Sequence, residues 1–299
     1  MGKATRAPKK SRRTMLFSPA NNPKMLAMAH LYGSDCVIFD LEDAIKYAEK
    51  DAARDLFAEA LKTIDYGDTE IYARLNPLYT EFGEKDVRVL VPAGLRYMRL
   101  AMTDTPEQIK ELDALLTEVE KEHGIEIGSC KIQASLETPT AVNNAYEIAT
   151  ASDRVVTMSF GAEDFTRTLG AERTKEGKEI FVAKSMVVMA AARAGIDAID
   201  TVWAFLDDIE GFKKEIQNSV NMGFAGKSCV HPSQIKEIHS IFTPSKKEIE
   251  KSLIIVKAAE EADIENGGVI QVNGKMIDIP IISKAQKVVN LAKAAGVIK

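Results

Sequence analysis

The sequence predicts an α/β fold, a closed (β/α)8 barrel with a C-terminal helical extension, on three observations. Eight short apolar segments recur at 14–18, 36–41, 70–75, 96–101, 131–136, 155–160, 198–203 and 226–230. Their starts are about 30 residues apart, the length of a β-α-β crossover unit. Amphipathic stretches such as 43–62, 105–123 and 179–194 lie between them, and strands alternating with helices imply a parallel sheet. Eight repeats without a linker point to a closed TIM barrel rather than an open doubly wound sheet.

The composition allows such a core. Of 299 residues 45% are hydrophobic and 28% charged, with a net charge of −5, which excludes an intrinsically disordered chain and a membrane protein. At this length folding buries roughly three quarters of the unfolded chain's surface. Cys36, Cys130 and Cys229 are odd in number and far apart, as in a reduced, cytoplasmic protein.

Residues 1–13 read as a basic arm: Lys3, Arg6, Lys9, Lys10, Arg12 and Arg13 occur there with no acid. Only Met15, Leu16 and Phe17 follow before Ser18 and Pro19, too few for the apolar stretch of a signal peptide. No run reaches the roughly 18 apolar residues of a membrane span. The arm suits a solvated tail or, as the sharper reading, a docking element for an acidic partner. Nucleic acid is disfavoured, because the body is acidic and no aromatic residues interleave with the charges. The barrel is expected over 14–242 and the extension over 243–299. The region after 231 has a helix near His231-Pro232-Ser233, a long helix near 245–263, a Gly267-Gly268 turn and a last helix near 283–295. This exceeds what a barrel requires, so the extension is expected to pack on the barrel mouth or on a neighbouring subunit.

In such barrels the chemistry sits where strands end, at the C-terminal mouth. The second segment ends in Asp40-Leu41-Glu42-Asp43, the third in Arg74-Leu75-Asn76-Pro77, the fifth in Glu137-Thr138-Pro139 and the sixth runs into Gly161-Ala162-Glu163-Asp164. Strand side chains alternate, so Gln133, Ser135 and Glu137 share one face, Asp40 goes with Glu42 and Arg74 with Asn76. Two carboxylates on adjacent strand ends repel unless one is protonated or a cation sits between them. Mg²⁺ suits that sparse pattern, since it is commonly held by one or two carboxylates plus waters and substrate oxygens. Glu137 and Asp164 are the candidate ligands. Each has a plainer reading, Asp164 or Glu163 as a helix cap and Glu137 as a satisfied barrel carboxylate. Arg74 is the candidate anion partner, or alternatively an ion pair with Asp40 or Glu42.

Other chemistries lack their motifs. Gly226-Lys227-Ser228 resembles the end of a P-loop, but Asn221 stands where the first glycine is required. There is no G-x-G-x-x-G, no G-x-S-x-G and no H-E-x-x-H. His30, His123, His231 and His239 are scattered, and no lysine lies in the sixth segment for a Schiff base.

The ordered set of Arg12-Arg13-Thr14-Met15-Leu16-Phe17, Phe39-Asp40-Leu41-Glu42-Asp43-Ala44, Ala73-Arg74-Leu75-Asn76, Glu137-Thr138-Pro139, Gly161-Ala162-Glu163-Asp164, Gly226-Lys227 and His231-Pro232 resembles the family of citrate lyase β subunits. Malyl-CoA lyases and metal-dependent hydroxy-acid aldolases are its wider relatives. Asp200-Thr201-Val202 and Asn273-Gly274-Lys275-Met276-Ile277-Asp278 extend the likeness along almost the whole chain. One departure is Ser18-Pro19-Ala20, where relatives often read Val-Pro-Gly. The resemblance implies a Mg²⁺-dependent citryl-ACP lyase yielding oxaloacetate and acetyl-ACP, working with a citrate lyase α subunit and an acyl carrier protein (the γ subunit) in a homo-oligomeric arrangement. It implies Glu137 and Asp164 as metal ligands, Arg74, Asp278 and Asp40 as catalytic groups, and Arg13, Arg74, Glu42 and Asn76 at the substrate. Asp278 would be an acid/base supplied by a neighbouring subunit. The alternatives are a stand-alone lyase acting on a CoA thioester such as citramalyl-CoA or malyl-CoA, and a non-catalytic scaffold.

Overall fold

The structure, a computed structural model, describes residues 11–262, 269–272 and 274–298. Residues 1–10 of the basic arm, the Gly267-Gly268 turn and Asn273 lie outside the described residues. The chain divides into two compact units, one comprising Arg12–His239 and the other carrying the residues from Ser240 on.

The first unit is a closed parallel barrel of eight strands: β1 (Thr14–Pro19), β2 (Cys36–Asp40), β3 (Glu70–Leu75), β4 (Tyr97–Leu100), β5 (Lys131–Leu136), β6 (Val155–Phe160), β7 (Asp197–Asp200) and β8 (Gly226–Cys229). Each pairs with the next, and β1 returns to β8 through Thr14↔Lys227, Met15↔Ser228 and Leu16↔Cys229. Gly226 makes that seam possible. A Cβ there would stand 1.9 Å from the Arg12 carbonyl oxygen, so no larger residue lets β8 approach β1. The strands are buried on both sides because helices cover the outside and other side chains, several of them polar, fill the inside. Met15, Ile38, Tyr72 and Ile199 meet inside the barrel with Cys36, Phe17 and Tyr97 against them.

Two expected helices match closely, Pro106–Glu122 and Phe181–Ala194. The stretch 43–62 becomes α-helical only at Lys50. Its first residues are held as a loop because the Asp40 carboxylate accepts the backbone N–H groups of Glu42 at 2.8 Å and Ala44 at 3.1 Å. The seventh expected strand segment, 198–203, ends at Asp200.

The ladder settles the position of Arg13. It precedes β1, so parallel strands place it at the floor of the barrel, away from the strand ends that form the mouth. Its backbone N–H and its Nη2 reach Asp35, which precedes β2, at 2.8 Å each. The expectation that Arg13 binds substrate is therefore corrected, and neither Arg12 nor Arg13 belongs to a free arm. Arg12 donates to both oxygens of Glu70, at 2.6 and 3.1 Å.

The second unit has the helices Lys246–Glu261 and Ile279–Ala294 and an antiparallel hairpin of β9 (Ile270–Val272) and β10 (Lys275–Ile277). Ile255, Val256, Ile277, Ala285 and Val289 form its core. The hairpin is absent from the sequence reading, since strands of three residues leave almost no periodic signal. No helix among the described residues is long and apolar enough to cross a membrane.

Candidate active site at the barrel mouth

At the C-terminal ends of the strands lies a pocket of about 400 Å³, lined among others by Asp40, Arg74, Arg99, Glu137, Asp164 and Ser228. Six strand ends thus deliver polar groups to one volume, as the alternation along the strands requires.

Glu137 follows β5 and is 3% exposed. Its Oε1 accepts from Ser135 Oγ at 2.6 Å and its Oε2 from the backbone N–H of Met102 at 3.1 Å. Burial pushes its carboxyl pKa up, and Arg99, Ser135 and Arg74 offset this only in part. Met102, at φ 48°, is the one non-glycine residue among those described with positive φ. This is a strained conformation for a side chain with a Cβ, and it directs the N–H at Glu137.

Asp164 lies in the first turn of the helix Ala162–Leu169, whose N-cap is Gly161. Neither Glu163 nor Asp164 is therefore the cap; Asp164 Oδ1 accepts from Arg167 Nη2 at 2.7 Å. Gly161 also makes room for Glu137: a Cβ at 161 would sit 2.5 Å from Glu137 Cγ. Among the described residues no group of three or more His, Cys, Asp or Glu is placed to hold a metal ion. What remains is a carboxylate pair opening into one pocket, one member buried and raised in pKa, the other 22% exposed in its side chain. A sparse, hard-oxygen set of this kind fits a Mg²⁺ ion that keeps most of its coordination sphere for water and substrate oxygens.

Arg74 on β3 is committed to carboxylates. Its Nε and Nη2 hold the two oxygens of Asp40 at 2.8 and 2.5 Å, and Nη1 lies 2.9 Å from Glu42 and 3.2 Å from Asp43. Burial alone would lower its pKa, but the three acids outweigh that and raise it. The ion-pair alternative for Arg74 is thus realised. Asp40 is equally occupied, with both oxygens bound by Arg74 and by backbone N–H groups. Glu42 reaches the pocket only through Arg74 and is not among its lining residues. Burial pushes its pKa up to about 7, with Arg74 opposing and Asp43 and Glu137 adding.

Asn76, expected at the substrate, is instead held by partners within the chain and is not among the pocket's lining residues. It is 2% exposed, its Nδ2 donates to Asp86 at 2.8 Å, and its Oδ1 accepts from Lys50 Nζ at 2.6 Å. Shared parity with Arg74 was the basis of the expectation. Asn76 lies one residue past β3, however, and its amide is consumed in tying that turn to two helices. Asp278 belongs to the second unit, where its side chain accepts the Ile281 N–H at 3.2 Å and caps the last helix.

Arg99 on β4 is the residue the sequence reading missed. Its Nη2 donates to Ser135 Oγ at 2.8 Å and lies 3.9 Å from Glu137 Oε1. The Phe17 ring carries two guanidinium groups, with Arg99 Cζ at 4.9 Å from its centroid and Arg74 Cζ at 5.3 Å. Burial lowers the Arg99 pKa to about 10, so it is still a cation at neutral pH. A signal existed: an arginine in a strand that helices cover outside must point inward, and Arg99 is the register partner of Arg74.

The chain's residues 13–232 match the model of the family described as HpcH/HpaI aldolase/citrate lyase. The chain belongs to this family. It is 43% identical over 283 residues to citrate lyase subunit beta of Leuconostoc mesenteroides subsp. cremoris, covering 95% of this chain and 94% of that one. A (3S)-malyl-CoA thioesterase of Cereibacter sphaeroides is 30% identical over 285 residues, 95% of each. Among solved structures, CitE of Mycobacterium tuberculosis in complex with magnesium, acetoacetate and coenzyme A superposes with TM-score 0.76 at 27% identity, covering 95% of this chain and 99% of that chain. The citrate lyase beta subunit of M. tuberculosis complexed with oxaloacetate and magnesium gives TM-score 0.68 at 29% identity, over 79% of this chain and 99% of that one. The family member described here is a carbon–carbon lyase of the citrate lyase type on a TIM barrel.

Proposed function

We propose that this chain cleaves a citryl thioester carried on an acyl carrier protein into oxaloacetate and the acetyl thioester, as the β component of a cytoplasmic citrate lyase complex with an α subunit and the carrier. The observation that carries the reading is the convergence of Glu137, for which Gly161 leaves room, and Asp164 on a pocket that also holds buried guanidinium groups. The relatives named citrate lyase subunit beta support it, and so does the M. tuberculosis citrate lyase beta subunit complexed with oxaloacetate and magnesium.

The reaction removes the proton of the tertiary hydroxyl, breaks the adjacent carbon–carbon bond and leaves negative charge on the thioester enolate, which a proton then quenches at carbon. Glu137 and Asp164 would hold Mg²⁺, which when bound supplies a Lewis acid for the hydroxyl and carboxylate oxygens. Ser135 and the Met102 N–H fix the Glu137 carboxylate so that both its oxygens keep one orientation. Asp40 acts as a positioning residue: it grips Arg74 with both oxygens and sets that cation at the pocket wall, where its charge favours developing anions. With Asp40 and Arg74 occupied by each other, the proton carrier is a different group, and Asp278 is the candidate by family resemblance.

A second reading, a lyase acting on a CoA thioester, is favoured by one observation: the malyl-CoA thioesterase relative matches over the same span as the citrate lyase subunits. Oxaloacetate release from citryl-ACP and from citryl-CoA at equal concentration separates the two. A rate at least tenfold higher on the carrier-linked substrate, abolished by a chelator and restored by Mg²⁺, is expected. Preference for CoA would replace the first reading with the second, and full activity under chelation would sink the metal assignment.

A further inference from the structure

Arg74 and Arg99 are partners across β3 and β4, stand over the same phenylalanine and line the same pocket, yet their donors are used differently. All three Arg74 nitrogens lie against carboxylate oxygens of Asp40, Glu42 and Asp43. Arg99 is 4% exposed, and of its nitrogens only Nη2 has a hydrogen-bond partner; Nε and Nη1 are buried with none. Ser228 Oγ, another lining atom, is also buried without a partner. Buried guanidinium donors without acceptors are rare, because an unpaired charged group loses its hydration and gains nothing in return. Here they border a pocket large enough for a small polycarboxylate, which points to an oxygen ligand.

The choice of ligand follows from counting charges. Glu137 and Asp164 would hold a divalent cation, and its charge would serve the oxygens at one end of an oxo acid. Any further carboxylate needs its own cationic partner inside the same buried volume. Arg74 is saturated, so Arg99 is the guanidinium left for it, and a guanidinium pairs with a carboxylate through two parallel donors. We propose that Arg99 is the specificity-determining residue for an oxo acid bearing a second carboxylate, and that it selects such an acid against its monocarboxylate analogue. This rests on the lyase reading above and deepens it, because a substrate yielding pyruvate or glyoxylate would leave the Arg99 donors unsatisfied, whereas one yielding a dicarboxylate would not.

Oxaloacetate and pyruvate differ by that one carboxylate and are the probes. Their affinities for the full chain with saturating Mg²⁺ at pH 7 are measured by calorimetry for the unaltered protein, Arg99→Gln and Arg99→Lys. The unaltered protein should prefer oxaloacetate. Arg99→Gln should weaken oxaloacetate about 10- to 100-fold, the range for losing charge-assisted hydrogen bonds, and pyruvate by less than about threefold. Arg99→Lys keeps the charge without the fork and should fall between. Pyruvate binding reports that the metal pocket is folded. Should Arg99→Gln bind neither acid, Arg99→Lys decides: a reduced oxaloacetate preference with pyruvate retained supports the assignment, and an unchanged ratio overturns it. Equal weakening of both acids would make Arg99 a support for Glu137 only and overturn the proposal while leaving the lyase standing. An unaltered protein that binds neither acid would remove both readings.

Discussion

The two ends of the barrel use the same residue types to opposite ends. At the floor, Arg12 takes both oxygens of Glu70, with Asp197 3.6 Å away, and Arg13 is locked to Asp35. Tyr72 and Cys36 add weaker contacts to the same Glu70 oxygen. At the mouth, Arg99 keeps two donors unpaired, Glu137 is buried with its pKa raised, and Met102 is strained to reach it. The arginine–carboxylate pairs of the floor are satisfied within the chain and the Arg99 guanidinium at the mouth is not. Buried polar groups are normally satisfied, and departures concentrate where a ligand finishes the network. The floor therefore contributes stability and the mouth gives some of it up for binding.

The strongest way to break this contrast is to neutralise one group at each end. Glu137→Gln keeps the shape of the side chain and removes a charge that burial disfavours, but its amide can accept only one of the two hydrogen bonds that Ser135 Oγ and the Met102 N–H now donate. We expect lyase activity to fall by at least about 10³-fold, as for loss of a principal electrostatic element of a site, with little net change in stability, because relief of a desolvated charge is offset by the lost acceptor and by the charge taken from beside Arg99. Kinetics on the thioester substrate and a thermal melt check the two halves. A clear fall in melting temperature with activity kept would reverse the roles assigned to the two ends.

Glu70→Gln is the counterpart at the floor. It leaves Arg12 buried with Asp197 as its nearest remaining acid, and breaking a buried pair costs about 3–5 kcal/mol. The lower figure applies because Asp197 remains. For a unit of this size that is a drop of roughly 6–12 °C in melting temperature. Turnover of the folded enzyme well below that temperature should stay within about twofold. Loss of turnover greater than loss of stability would show the floor coupled to the chemistry.

How much of this was legible beforehand differs between the two ends for a physical reason. Strand positions follow from apolar segments at crossover spacing, and the carboxylates at strand ends follow from alternation, so Glu137 and Asp164 could be placed at one mouth from residue order alone. Alternation fixes direction but not partners. Arg74 and Arg99 both point inward, and only coordinates reveal that the first is saturated by three acids and the second is not. Asn76 has the right parity but lies past the end of β3, where Asp86 and Lys50 claim its amide. Arg13 was drawn to the substrate by family likeness, although its place before β1 puts it at the floor.

Glu42 sharpens the comparison through pH. At the floor Glu70 is fixed by a bidentate arginine, whereas Glu42 shares one nitrogen of Arg74 with Asp43. Burial raises its pKa to about 7 from an ordinary value of 4.5. A carboxyl raised on folding stabilises the folded state fully below its unfolded pKa, and this contribution is lost as pH rises through the folded value. Stability should therefore decline between about pH 5 and pH 8, by at most about 3 kcal/mol from this group. Glu42→Gln, which cannot ionise, should flatten that part of the profile and leave the acid limb below pH 4 unchanged. Denaturant melts at half-unit pH steps on both proteins measure the difference. A profile unchanged by the substitution would mean that Arg74 keeps Glu42 ionised throughout, and the mouth would then resemble the floor at this one position.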